Sequence, residues 1–176
     1  MFASASGTAM DVVAEEPGVT GQVDFATNSL VVVTPTDNPA GVESIEDLAG
    51  DGVQVVLGAE GVPVGDYARQ ALDDEGVLDA AEANVVSNEE DNAGVVGKIV
   101  AGEADAAIVY GSDVSSAADN DLLSFAIPDD VNVIATYPIA MVSGTSFPSS
   151  AEAFIAYVMG PGQATLIEYG FGPAPG

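Results

Sequence analysis

Short apolar runs alternate with amphipathic segments along this chain, and that alternation constrains its fold more than any other feature. Helices are predicted between the runs because apolar residues recur there at helical spacing, as in Val95, Ile99 and Val100. Strands that alternate with helices are typical of α/β folds with largely parallel sheets. The predicted strands cover 30–33, 53–57, 84–86, 106–110, 123–127 and 131–142, with Pro138 a candidate break in the last.

Local signals mark the ends of several predicted helices. Ser149 and Glu152 have the spacing of a capping box, which predicts a helix start before Phe154. Gly76 and Gly160 lie just past predicted helix ends, a position that glycine commonly occupies.

The charge of the chain excludes several classes of function. The sequence has 28 acidic residues and two basic ones, Arg69 and Lys98, which gives a formal net charge of -26. Binding to nucleic acid or to an anionic membrane needs basic patches and is therefore disfavoured. The chain has neither histidine nor cysteine, which removes disulfides, zinc fingers, Cys or His nucleophiles and any Ser-His-Asp triad.

The near absence of lysine favours a high-salt habitat, with an ordinary acidic protein as the alternative. At about 1 M salt the Debye length falls to roughly 3 Å, so repulsion between surface carboxylates is screened. No stretch reaches the roughly 18 apolar residues of a membrane span. The start, MFASASGTAM, lacks the basic and apolar regions of a signal peptide, so any export signal is expected to be absent from this sequence.

Two loops that open predicted helices are candidates for anion binding. The loop 58–65 follows a strand, where free N–H groups and the positive helix end can hold an anion; a tight turn without a ligand fits equally well. It lacks the Gly-Lys-Ser/Thr ending of a P-loop. The segment 87–92 offers a second set of free amides. Its acids could instead ligate calcium, but the spacing of an EF-hand loop is absent, and a solvated helix cap is the third interpretation.

Tyr110 ends the apolar run 106–110 and is followed by Gly111. Its ring therefore leaves the carboxyl end of a predicted parallel strand, where ligands collect in open α/β sheets. The phenol can donate a hydrogen bond without supplying charge, although a strand-end tyrosine also serves in packing. Nothing places a nucleophile against a base, so an acid-only hydrolase is disfavoured and no catalysis is expected.

Read in order, motifs along the whole chain resemble the periplasmic molybdate-binding proteins of ABC importers. Examples are GVPVGDY at 61–67, IVYGSD at 108–113 and ATYPIA at 135–140. Further matching stretches are 2–6, 10–11, 28–33, 70–72, 102–105, 160 and 169–171.

This resemblance implies an α/β type II periplasmic binding fold with two lobes joined by crossing strands. Residues 1–28 plus 137–176 would form the first lobe, and 29–136 the second lobe with the hinge strands. Family members carry further βα units ahead of the first matching motif, so the resemblance implies an incomplete, truncated first lobe. It also implies a periplasmic or otherwise extracytoplasmic location, a transport role with the membrane subunits of an ABC importer as partners, and no cofactor.

The family holds molybdate or tungstate with neutral donors. These are two serine hydroxyls from the first lobe, two backbone amides from the second and one tyrosine hydroxyl. Carried over by motif, the amides fall on Val64 and Asn92 and the hydroxyl on Tyr110, whereas the serines have no counterpart in this sequence. The alternative is a non-catalytic interaction module that forms a homodimer through its C-terminal helices, which contain Phe154 and Ile155.

Overall fold

The structure is a computed structural model that describes residues 1–116 and 122–175, and it divides into two compact units. Unit 1 consists of Met1–Asn28 and Ile134–Gly176, and unit 2 of Ser29–Val133. Each unit has its own sheet, three-stranded in unit 1 and five-stranded in unit 2, so the predicted α/β class is confirmed. No helix in the described part of the chain is long and apolar enough to cross a membrane.

The elements follow one another in an order close to the predicted alternation. The strands are β1 Phe2–Ala3, β2 Val19–Asn28, β3 Leu30–Pro35, β4 Val55–Gly58, β5 Val85–Glu89, β6 Ala106–Tyr110, β7 Leu122–Ala126 and β8 Ala135–Val142. The helices are α1 Gly7–Glu15, α2 Pro63–Glu75, α3 Leu78–Ala83, α4 Asn92–Val100, α5 Gly111–Ser116, α6 Pro148–Met159 and α7 Gly162–Glu168, with a 3-10 turn at Glu46–Ala49.

The sheet of unit 2 has the strand order β5-β4-β6-β3-β7, with β4 parallel to both β5 and β6. The crossovers β4 to β5 and β5 to β6 run in opposite directions across the sheet. Because such crossovers are right-handed, they place α2 and α4 on opposite faces. On the α4 side, Val95 and Ile99 pack against Val56, Ala107 and Val109.

The prediction of largely parallel sheets is wrong. Only two of the six pairings among the described strands are parallel, since β3 runs antiparallel to β6 and β7, and β8 runs antiparallel to β1 and β2. An apolar run fits either direction equally well, because alternation fixes which side chains face the core and says nothing about the direction of the neighbouring strand.

Unit 1 is built on the sheet β1-β8-β2, with β8 in the centre. The predicted strand 131–142 begins only at Ala135, because Val131 and Asn132 lie in a turn that bonds back to Pro128. Pro138 does not break β8. The register of β2 shifts between Asp24, which lies opposite Pro138, and Ala26, and a bulge of this kind accommodates a strand proline.

The core of unit 1 includes an aromatic cluster around Tyr137. The rings of Phe25 and Phe171 meet the Tyr137 ring edge to face, at centroid distances of 6.3 and 5.6 Å. The Tyr137 hydroxyl accepts a hydrogen bond from Asn28 Nδ2 at 3.3 Å. Gln163 Nε2 donates to the carbonyl of Phe25 at 2.8 Å, which ties α7 to β2.

Helix ends follow some of the local signals and not others. Gly76 ends α2 in the left-handed conformation, with φ 82°, and Gly160 follows α6, both as predicted. The predicted capping box at Ser149 is wrong, because α6 already begins at Pro148 and has Phe147 as its N-cap. Proline suits the first helical position because its φ is fixed near the helical value and it has no N–H to satisfy.

Candidate functional site

The topology of unit 2 brings the three predicted site residues to one edge of its sheet. Strands β4, β5 and β6 are parallel neighbours, so their carboxyl ends lie at the same edge. Val64 lies in the first turn of the helix after β4, and Asn92 begins the helix after β5. Tyr110 is the last residue of β6. This is the edge where ligands bind in open α/β sheets.

The start of α2 presents free backbone amides at this edge. Within the described residues, the Val64 and Gly65 amides donate to no protein acceptor, and the first backbone bond of the helix runs from Asp66 to Val62 at 3.0 Å. Val64 is fully buried and anchors this turn in the core. Free amides at a helix start carry partial positive charge and can hold an anion.

A close approach between glycines holds α2 against the end of β4. A Cβ atom at Gly65 would overlap the carbonyl oxygen of Gly58 and lie 2.5 Å from that of Ala59. Any larger residue at Gly65 would therefore push the helix start away from the strand end. The two glycines fix where the Val64 amide lies relative to the sheet.

Arg69 stabilises the same region through hydrogen bonds and an ion pair within the protein. Its Nη1 donates to the carbonyl oxygens of Gly58 at 2.7 Å and Gly65 at 3.1 Å. Its Nη2 donates to Asn88 Oδ1 at 2.7 Å, and its Nε lies 2.7 Å from Glu82 Oε1. Arg69 therefore stabilises the strand end and the helix and leaves its charge paired.

The other basic residue is also paired, and it lies in the last turn of α4, away from the start of that helix. Lys98 Nζ is 2.6 Å from Glu103 Oε2, and this hydrogen bond raises the pKa of Lys98. With both cations of the chain engaged by carboxylates, an anion at the sheet edge would depend on amide and hydroxyl dipoles.

The start of α4 offers a second set of amides. Asp91 is the N-cap, and its Oδ1 accepts a hydrogen bond from the Gly94 amide at 2.8 Å. Across residues 1–116 and 122–175, the Asn92 and Ala93 amides have no protein acceptor. The same residues contain no group of three or more acidic side chains able to hold a metal ion, so the described part of the chain gives the calcium interpretation no support.

Tyr110 is buried, with 3% of its surface exposed, and its hydroxyl oxygen is buried as well. Ala107 and Val109 of the same strand face α4. Because side chains alternate along a strand, the Tyr110 ring lies on the opposite face, which is the face that α2 covers.

Asp113 is the residue that sequence reasoning missed. Its Oδ2 accepts a hydrogen bond from the Tyr110 amide at 3.0 Å and another from Asn92 Nδ2 at 2.9 Å. Burial raises the pKa of the Asp113 carboxyl, although these two hydrogen bonds act in the opposite direction. The partners Asn92 and Asp113 are 21 positions apart, and Asp113 is one of 28 acids, so no local pattern singles it out.

An α/β unit that gathers two helix starts and a buried tyrosine at the carboxyl edge of its parallel strands has the architecture of a protein that binds a small solute. The chain belongs to the family of bacterial extracellular solute-binding proteins, whose match covers residues 1–172. The family is one of binding proteins and not of enzymes, in agreement with the sequence prediction.

Named relatives of the chain include molybdate-binding proteins. It is 35% identical to the molybdate-binding protein ModA of Mycobacterium tuberculosis over 173 residues, which is 97% of this chain and 64% of that protein. It is 32% identical to ModA of Escherichia coli, with 97% of this chain and 69% of the relative covered. The chain thus spans just under two thirds of the length of the mycobacterial relative.

The chain is also similar to a solved structure of a transporter substrate-binding domain. The substrate-binding domain of a putative molybdenum ABC transporter from Clostridium difficile superposes with a TM-score of 0.82 at 25% identity. The match covers 99% of this chain and 76% of that structure. The predicted type II periplasmic binding fold and the resemblance to molybdate-binding proteins are both confirmed.

Proposed function

We propose that this chain binds a tetrahedral oxyanion, molybdate or tungstate, at the carboxyl edge of the parallel strands in unit 2. The observation that carries the proposal is the pair of free helix starts at Val64 and Asn92, which follow β4 and β5 at the sheet edge where β6 ends in Tyr110. Amide and hydroxyl donors stabilise an oxyanion without a counter-charge. The two ions have the same charge and nearly the same size, so the proposal covers both.

Neutral donors suit a protein of this charge. With a net charge of -26, the field of the whole molecule repels an approaching anion. Affinity must then come from short-range dipoles at the site, since Arg69 and Lys98 are both paired with carboxylates. High salt reduces the long-range repulsion and leaves close hydrogen bonds almost unaffected.

In the wider role that we propose, the protein works outside the cytoplasm and delivers its anion to the membrane subunits of an ABC importer. The family description, the two relatives named for molybdate binding and the transporter domain from Clostridium difficile support this role. We also propose that the acidic surface is an adaptation to high salt.

Isothermal titration with molybdate, tungstate and sulfate at matched, high NaCl concentration tests the ligand. We expect dissociation constants of about 1 μM or tighter for the first two ions, equivalent to about 8 kcal/mol of binding free energy, and no heat from sulfate. Absence of heat from molybdate and tungstate would contradict the proposal. Equal heat from sulfate would mean that the site binds anions in general and does not select molybdate or tungstate.

We further propose that two copies associate through the C-terminal helices of unit 1. Phe154 and Tyr157 are 47% and 53% exposed, and Phe154 borders an apolar groove of about 300 Å³ that includes Phe25 and Leu166. Residues 131–176 contain only two of the 28 acids, Glu152 and Glu168. This face is therefore one that a second acidic copy can approach with little repulsion.

A further inference from the structure

We propose that Asp113 is a positioning residue for the oxyanion site. In this role its carboxylate fixes the start of α4 against the end of β6. The distance between the Asn92 amide and the Tyr110 hydroxyl then stays constant. The inference deepens the proposed function and rests on it. Asp113 itself does not contact the anion in this role.

The geometry supports this role because one oxygen atom joins the two elements. Asp113 Oδ2 lies 3.0 Å from the Tyr110 nitrogen and 2.9 Å from Asn92 Nδ2. The first bond holds the last residue of β6, and the second holds the first residue of α4. Hydrogen bonds to a charged carboxylate are shorter and stronger than those between neutral groups.

The position of Asp113 favours a role in geometry over a role in charge. Its carboxyl is partly buried, and burial disfavours the charged form. A negative charge beside an anion site also opposes binding. Both effects disfavour a carboxylate at this position, whereas its two hydrogen bonds hold neighbouring donors in place. Pre-organised donors bind a ligand more tightly than mobile ones because less ordering occurs on binding.

Two substitutions of Asp113 separate geometry from charge. Asp113→Ala removes both hydrogen bonds, and we expect molybdate affinity to fall by about 10-fold or more, as when the partners that orient metal ligands are removed. Asp113→Asn keeps an oxygen acceptor and removes the charge, so its affinity should stay within about threefold of the parent or rise. Asp73→Asn removes the same charge from an exposed position near the end of α2 and should leave affinity unchanged.

Asn92→Ala supplies a second, milder test, since it removes one of the two hydrogen bonds and keeps the backbone amide. In a double-mutant cycle with Asp113→Ala, the losses in affinity should be less than additive, because both variants break the same bond. Additive losses would contradict the inference. So would an Asn variant of Asp113 that binds as weakly as the Ala variant, or an Ala variant that binds like the parent.

A measurement without ligand keeps this inference separate from the proposed function. In amide hydrogen exchange, the Tyr110 amide should lose protection in Asp113→Ala and keep it in Asp113→Asn, in the absence of any anion. If the parent fails to bind molybdate, the proposed function is wrong, whatever the exchange shows. If the parent binds but Tyr110 exchange is unchanged in Asp113→Ala, the positioning role is wrong while the proposed function stands.

Discussion

The two units of this protein differ sharply in charge. Unit 2 contains both basic residues and 22 of the 28 acids, although it has the candidate anion site. Unit 1 contains the other six acids and has exposed aromatic side chains on its C-terminal helices. Those six acids are Asp11, Glu15, Glu16, Asp24, Glu152 and Glu168.

This contrast teaches that net charge is a poor guide to where an anion binds. The field of many carboxylates acts over the Debye length and weakens with salt, whereas a free amide acts on a ligand at hydrogen-bond distance. The amides of Val64 and Asn92 therefore provide a local positive potential within the more negative unit.

The largest effect is expected at Gly65 in unit 2. Gly65→Ala forces a Cβ onto the carbonyl oxygens of Gly58 and Ala59, and we expect a loss of about 2–4 kcal/mol in the free energy of unfolding. Gly97→Ala is the matched control, because Gly97 is also helical and a Cβ there meets nothing within 4 Å. It should stabilise by about 0.5–1 kcal/mol. Urea denaturation measures the free energy of unfolding of both variants. Equal values for Gly65→Ala and Gly97→Ala would contradict the close approach at Gly65.

Salt should affect unit 2 more than unit 1. Between dilute buffer and about 2 M NaCl we expect the melting temperature to rise by about 5–10 °C, equivalent to about 2–3 kcal/mol for a chain of this length. Hydrogen exchange at the two salt concentrations should show a larger gain in protection in unit 2, where most carboxylates lie. A melting temperature that does not change with salt would contradict the high-salt interpretation. Equal gains in exchange protection in both units would contradict the expected difference between the units.

The two buried tyrosines should separate binding from folding. Tyr110→Phe removes a hydroxyl from the candidate site and should weaken molybdate binding by about 1.5–3 kcal/mol, the value of a hydrogen bond to a charged group. Tyr137→Phe in unit 1 loses the bond from Asn28 and should reduce stability by about 0.5–1.5 kcal/mol without changing affinity. Calorimetric titration and thermal melts of both variants test this. If Tyr110→Phe binds molybdate as tightly as the parent, Tyr110 has only a packing role.

The smallest effect concerns association through unit 1. If copies pair through the C-terminal helices, Phe154→Asp should weaken self-association by about 1–2 kcal/mol, because it places a charge on an exposed apolar contact. Val12→Asp makes the same kind of change at a residue of α1 that is 64% exposed and should have no effect. Light scattering at high salt decides, and a 17.6 kDa monomer for the parent would end the proposal.

Several elements that carry the candidate site could be predicted from the sequence, because their signals act over a few residues. Asp91 caps α4 through the Gly94 amide three positions on, so the helix start at Asn92 is local information. The loop 58–65 opens α2 as predicted, and Tyr110 ends the apolar run that forms β6. Composition gives the net charge of -26, and the family resemblance implies that neutral donors hold the anion.

Other features depend on residues that are far apart in the chain, and only the tertiary structure decided them. The direction of β3 between β6 and β7 rests on pairing with strands that begin 76 and 92 positions after it, so its apolar sequence fits either direction. The bond from Asn92 to Asp113 spans 21 positions and exists because β6 and α4 pack together. Local patterns determine where elements begin and end, since the stabilising contacts are near in sequence. Strand direction and the joining of elements at the site follow from long-range packing.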